Sequence, residues 1–259
     1  MWDNPYYLTD LAILKSLGIT KKEQGSIVIE SKLFPTYFGG NLILIDPETT
    51  ADLSVFEGLF DRNFTAPKTR HKTFLLVVDA PHTPKLLEQA KGIHYNCTDF
   101  CFMSVGSSLL TTDLPDGLRI DTLDLINNQQ DIADSLALIM ATEELEWFWT
   151  DGFKKRQTIT QTMGIQWFGI RATGDTALRS SLGVFKHGDL ARLQDVVTHP
   201  DYYRSGYATQ LLSHAIRYSK EVFAASEVVL VADKGYHAYR MYQKLGFVDV
   251  FGVTELMKF

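Results

Sequence analysis

Two segments of the 259-residue chain place small, hydroxylic and charged residues where chemistry needs them. The first reads Val196-Val197-Thr198-His199-Pro200-Asp201-Tyr202-Tyr203-Arg204-Ser205-Gly206-Tyr207-Ala208-Thr209, an apolar run giving way to a long helix. Gly206 lets the backbone approach a ligand with no Cβ in the way. The N–H groups of Ser205, Gly206, Tyr207, Ala208 and Thr209 are the unpaired donors of the helix start. Together with the helix dipole they form an anion site, and Tyr203 and the cationic Arg204 stand beside it. A diphosphate is the natural guest.

The second segment, Ala232 to Phe247, reads Ala-Asp-Lys-Gly-Tyr-His-Ala-Tyr-Arg-Met-Tyr-Gln-Lys-Leu-Gly-Phe. At helical spacing, Ala238, Met241, Tyr242 and Leu245 share a stripe that aims the Tyr242 hydroxyl inward. Gly246 caps the helix and Phe247 plugs the core.

Taken together, the two segments resemble the GNAT superfamily of N-acetyltransferases. That family's acetyl-coenzyme A loop, Gln/Arg-x-x-Gly-x-Gly/Ala, is matched over Tyr203–Ala208 by Gly206 and Ala208. Its later Ala-x-x-x-Tyr-x-x-x-Gly-Phe signature is met by Ala238, Tyr242, Gly246 and Phe247. Two positions depart: Tyr203 replaces Gln or Arg, and Gly235 stands where many relatives carry an Asn against the pantetheine arm. The first half is similar to the degenerate first domain of tandem GNAT proteins, led by Phe38-Gly39-Gly40-Asn41-Leu42-Ile43-Leu44-Ile45, and has no second cofactor loop.

The resemblance implies acetyl-coenzyme A as co-substrate and direct attack by a primary amine of a small molecule or peptide. It makes Tyr242 the acid that protonates the thiolate and gives the oxyanion a backbone N–H of Val196 or Val197. Asp233 and Tyr236 join the cofactor-binding set. The amine's proton, with a pKa near 10, needs a base, and Asp195 and His199 are the nearest titratable groups. Strand alternation puts Arg192, Gln194 and Val196 on one face and Leu193, Asp195 and Val197 on the other, so Arg192 and Gln194 are placed against substrate. A non-catalytic acyl-coenzyme A sensor or a protein-interaction module is the alternative.

These residues need a scaffold: the apolar patterning reads as α/β, divided as 1–117 and 118–259, and the resemblance implies two GNAT-like domains, each a mixed twisted sheet flanked by helices. In the first, Gly25–Glu30, Gly40–Asp46, Thr73–Asp79 and Tyr95–Val105 read as strands, and Asp52–Phe60 and Pro84–Gly92 as helices. Thr111–Gly117 is the turn-rich linker. The second predicts strands over Leu118–Leu125, Gly164–Ala172, Ala177–Lys186, Leu190–Val197 and Val228–Ala232, with one or two more after Phe247. Its helices span Asn128–Glu146 (Ile132, Leu136, Ile139 and Met140 inward), Phe153–Gln161, Gly206–Phe223 (Leu211, Leu212, Ala215, Ser219 and Val222 inward) and Tyr236–Leu245. The aromatics Trp147, Phe148 and Trp149 read as packing at a helix end.

Charge and composition exclude other classes. With 31 acids against 25 bases and net charge −6, and 14 acids against 10 bases in residues 1–117, no basic face invites nucleic acid. Lys21-Lys22 and Lys154-Lys155-Arg156 read as solvated faces. The longest uncharged stretch, Gln157–Ile170, has 14 residues, short of the roughly 18 a membrane span needs. No metal site is expected, since His94, Cys97 and Cys101 on one strand do not converge. Two cysteines and no leader-like start predict a cytoplasmic protein. Oligomeric state is left open.

Overall fold

The computed structural model describes residues 2–64, 69, 71–106, 114–142 and 148–259, with Phe148 and Trp149 as backbone alone. In chain order the first elements are α1 (Pro5–Leu17), β1 (Ile19–Glu23), β2 (Ser26–Glu30), β3 (Asn41–Leu44), α2 (Leu53–Asn63), β4 (Lys72–Val77), α3 (Thr83–Gly92) and β5 (Asn96–Gly106). Then come β6 (Leu118–Leu123), α4 (Gln129–Thr142), a π-helical turn at Phe148–Gly152, α5 (Phe153–Met163), β7 (Gln166–Ala172), β8 (Ser180–His187) and β9 (Leu190–Thr198). The chain ends with α6 (Tyr207–Glu221), β10 (Glu227–Asp233), α7 (His237–Lys244) and β11 (Val248–Lys258). Two units result: Met1–Met103 with Val231–Met241 and Asp249–Phe259, and Ser104–Leu230 with Tyr242–Val248.

In the first unit the strand order is β1-β2-β3-β4-β11-β5. β3 and β4 run parallel, and β11 is antiparallel to β4 from Val253↔Val77 to Lys258↔Lys72. Its core gathers Val28, Ile43, Phe56, Phe60, Phe74 and Leu256. Two elements here were not expected. α1 starts because Asn4 Oδ1 accepts the N–H groups of Tyr6 (3.0 Å) and Tyr7 (3.4 Å) ahead of Pro5. β1 is an edge strand that turns back through Gln24 and Gly25, both at positive φ. Lys21 and Lys22 are thus exposed on a sheet edge, where their charge opposes further strand pairing.

The second unit carries the order β9-β8-β7-β6, all antiparallel, with β10 parallel to the start of β9. α4 buries Asp131, Ser135, Leu138 and Ile139, whereas Met140 is 50% exposed. The expected apolar stripe is displaced because Arg171 on β7 draws Asp131 (3.2 Å), Asp134 (2.8 Å) and Asp121 (3.0 Å) toward it. Val222 likewise lies outside: it follows the last turn of α6 as its C-cap and is 58% exposed. After Phe247 there is one long strand. Residues 107–113 and 143–147, which hold part of the expected linker, Trp147 and the end of the Asn128–Glu146 helix, lie outside the described residues.

Candidate active site

β9 is paired along one side with β8, and the pairing slips between Ser181 and Gly183. Asp195 is the extra residue, with φ at +50°. Such a bulge bends the strand and interrupts its alternation. The expected alternation therefore fails beyond Gln194: Ser181 and Gly183, two apart on β8, pair with Val197 and Gln194, so Val197 shares a side with Gln194 instead of opposing it. On the far edge, the ladder with β10 ends at Val229↔Arg192 although β9 runs to Thr198. Among the described residues, no pairing with β10 is present past Arg192.

β9 then enters the loop. Thr198 Oγ1 lies 2.9 Å from Ser180 Oγ, and the His199 N–H donates to Arg179 O at 2.8 Å, tying the strand end to β8. Pro200–Tyr202 form a 3-10 turn whose cap is His199, with Nδ1 accepting the Asp201 N–H at 3.2 Å. In a neutral ring that leaves the proton on Nε2, so His199 presents a donor outward. Arg204 (φ +64°) and Gly206 (φ +81°) are both left-handed. The first backbone bond of α6 is Gln210 N–H to Gly206 O, 3.0 Å, so the N–H groups of Gly206, Tyr207, Ala208 and Thr209 precede the ladder. A Cβ built at Gly206 meets nothing within 4 Å, which is the open approach an oxyanion needs.

Arg179, which sequence reasoning passed over, braces this loop. Its Nη1 donates to Tyr207 Oη at 2.7 Å, and its Cζ lies 4.7 Å above the Tyr202 ring. Tyr203 is 49% exposed at the loop's outer face.

Arg156 was also missed. It is 4% exposed, not part of a solvated cluster, because Phe153, Arg156 and Ile159 form the buried stripe of α5. That i, i+3, i+6 spacing is the signal that could have found it. Its Nε and Nη2 each lie 3.2 Å from Asp195 Oδ2, and its Cζ lies 4.6 Å above the Trp167 ring. Burial raises the Asp195 pKa. The charges of Arg156, Lys155 and Arg192, with the Arg156 hydrogen bond, outweigh it and hold the carboxyl below its usual range.

Arg192 and Gln194 are buried on β9. Tyr242, also buried, stacks edge-on to Phe247 with centroids 5.9 Å apart, and Phe247 N–H returns to Tyr242 O at 3.1 Å. Asp233 and Tyr236 fall in the first unit. There Asp233 Oδ1 accepts the Gly235 N–H at 2.7 Å, and Tyr236 packs on His237. Burial, with the charge of Asp233, lifts Glu255 on β11 to about 7. Cys97 and Cys101 are free thiols; burial, helped by Asp249, pushes Cys101 up to about 12. Among the described residues no three His, Cys, Asp or Glu side chains converge on a metal position, and no helix is long and apolar enough to cross a membrane.

No curated protein matches the chain. Among solved structures, a conserved protein of unknown function from Staphylococcus epidermidis superposes with TM-score 0.77 at 13% identity, over 93% of this chain and 94% of that one. A GCN5-related N-acetyltransferase from Kribbella flavida aligns with TM-score 0.69 at 14% identity, over 98% and 95%. A tandem GNAT protein from the clavulanic acid biosynthesis pathway gives 0.59 at 13% identity, over 83% and 73%. At these identities the likeness is one of fold. The acetyltransferase (GNAT) family model matches residues 143–247, the stretch that contains the bulged strand, the loop and Tyr242. Residues 143–247 are thus similar to the acetyltransferase (GNAT) family, and the chain shares the fold of GNAT proteins, a tandem GNAT structure among them.

Proposed function

We propose that the protein moves an acetyl group from acetyl-coenzyme A to a primary amine of a small molecule or peptide, by direct attack. The observation that carries this reading is the run from the bulge at Asp195 to the free helix start at Gly206–Thr209. It offers backbone donors for a carbonyl oxygen at one end and for a diphosphate at the other. Acetyl-coenzyme A supplies the activated thioester and the diphosphate anchor.

The Gly206, Tyr207, Ala208 and Thr209 N–H groups hold the diphosphate, with Ser205, Arg204 and Tyr203 at its rim. Val196 or Val197 N–H donates to the oxygen that gains charge. The amine nitrogen, once neutral, bonds to the acetyl carbon to give the oxyanion; as that collapses the carbon–sulfur bond breaks, Tyr242 gives its proton to the departing sulfur, and the second proton of the bonded nitrogen returns through water to the Tyr242 phenolate. Asp195 Oδ2 is committed to Arg156, so Oδ1 holds the incoming ammonium, whose proton passes to water. A carboxylate held below its usual range is a weak base, and His199 presents a donor, so neither is the final proton sink. We place the reaction in the cytoplasm, in keeping with two unpaired cysteines.

The test is Tyr242→Phe. Turnover on an amine panel should fall at least about 100-fold, as loss of a general acid does, while calorimetric affinity for acetyl-coenzyme A stays within twofold. Coenzyme binding with no turnover by the unaltered chain on any amine would instead favour a non-catalytic acyl-coenzyme A sensor.

A further inference from the structure

Among the described residues, three buried polar atoms beside the bulge have no hydrogen-bond partner: Arg156 Nη1, Gln194 Nε2 and Ser181 Oγ. Their residues are 4%, 8% and 0% exposed. Native proteins rarely bury a donor without a partner, and three together call for a ligand or water.

The three share one face. Across the sheet, Trp167 is opposite Gly183 and Gly183 is opposite Gln194, and residues directly opposite lie on the same side. Ser181 is two positions from Gly183 on β8, hence on that side too. Arg156 comes down onto this face from α5 and lies on Trp167. Gly183 adds no side chain between them. The Asp195 carboxylate takes Nε and Nη2 of Arg156 through one oxygen, so Nη1 is not used by the ion pair.

All three atoms can donate, and one belongs to a guanidinium. The fitting guest is an oxygen-rich anion small enough to enter a face shared with a tryptophan, and planar enough for a guanidinium edge, which is a carboxylate. Lys155 and Arg192 add positive charge around Asp195. We propose that Arg156, Gln194 and Ser181 bind a carboxylate of the acceptor, so that the substrate is an amine that also carries a carboxylate, of the amino-acid class. Asp195 Oδ1 then meets its ammonium, and the two ends of a zwitterion are matched by the two ends of the Arg156–Asp195 pair. This rests on the acetyltransferase reading of the same domain.

The full chain is first titrated with acetyl-coenzyme A, which tests that reading with no acceptor present. Thiol release is then measured with the common amino acids and with the amine each yields on losing its carboxylate. At least one amino acid should exceed its twin in kcat/KM by about 100-fold, as expected when a site built to pair a group is left unpaired. Arg156→Met and the near-isosteric Gln194→Leu should each bring that pair within about fivefold, with coenzyme affinity unchanged, and Arg156→Lys should restore part of the gap. Equal rates for the twins, or an advantage that survives in both variants, overturns the proposal and leaves the acetyltransferase reading standing. Where acetyl-coenzyme A does not bind, or no amine turns over, saturation-transfer NMR with the amino acids alone decides. Binding that is lost in Gln194→Leu supports the carboxylate site, and absence of binding overturns it.

Discussion

Gly206→Ala separates the anion loop's geometry from its stability. Gly206 sits at φ +81° and ψ 0°, and a Cβ there touches nothing within 4 Å. The substitution therefore costs only the left-handed backbone penalty, about 1 kcal/mol. For a chain of this size that is about 2–4 °C in Tm. The backbone can escape by rotating out of the left-handed region, but the N–H groups that open α6 then turn away from the diphosphate. Each charge-assisted hydrogen bond lost is worth about 1.5–3 kcal/mol, so coenzyme A affinity should fall about 10- to 100-fold. Gly188→Ala is the control: Gly188 has φ +59° and an equally open Cβ position, but lies in the turn between β8 and β9. Both variants should melt a few degrees lower, and only Gly206→Ala should bind coenzyme A more weakly by calorimetry. Wild-type affinity in Gly206→Ala, or an equal loss in Gly188→Ala, would refute the placement of the diphosphate at the start of α6.

Two further outcomes follow from the same packing. Glu255, at about 7 instead of its usual 4.5, holds a proton that the unfolded chain has given up. Stability from this group is complete below pH 4.5 and declines as pH rises through about 7, so urea midpoints should drop between pH 5 and 8, and Glu255→Gln should flatten that slope. Gly183→Ala would bring a methyl to 3.0 Å from both Ile165 and the Trp167 ring, and overpacking at that face should cost about 1–3 kcal/mol in chemical denaturation.

Elements with a single strong pattern could be read from the sequence. Val228–Ala232 is an unbroken apolar run, and Gly206 followed by Leu211, Leu212, Ala215 and Ser219 carries both the start and the buried stripe of α6. α1 was harder, because its apolar residues spread round the helix and its clearest signal is the Asn4-Pro5 cap. Where local pattern and tertiary charge competed, charge prevailed. Met140 yielded its inward place on α4 to Asp131, since leaving Arg171 buried without carboxylates costs more than exposing one thioether.

The loop and Tyr242 were legible for a related reason: backbone donors at a helix start demand small residues at set spacings, and those spacings survive in the letters. What surrounds the acceptor was not. A bulge adds one residue without altering composition, so alternation over Arg192–Val197 gives no hint that Asp195 turns toward α5. Arg156 stands in a basic triplet that looks solvated, and only its spacing from Phe153 and Ile159 marks it as buried. The coenzyme end of such a site depends on main-chain geometry that a motif can encode. The acceptor end depends on which side chains from separate helices and strands meet over one face, in the site proposed here Arg156, Ser181, Gln194 and Asp195. Those side chains come together only when the sheet is assembled, which is why the choice of amine has to be argued from unpaired atoms and not from a motif.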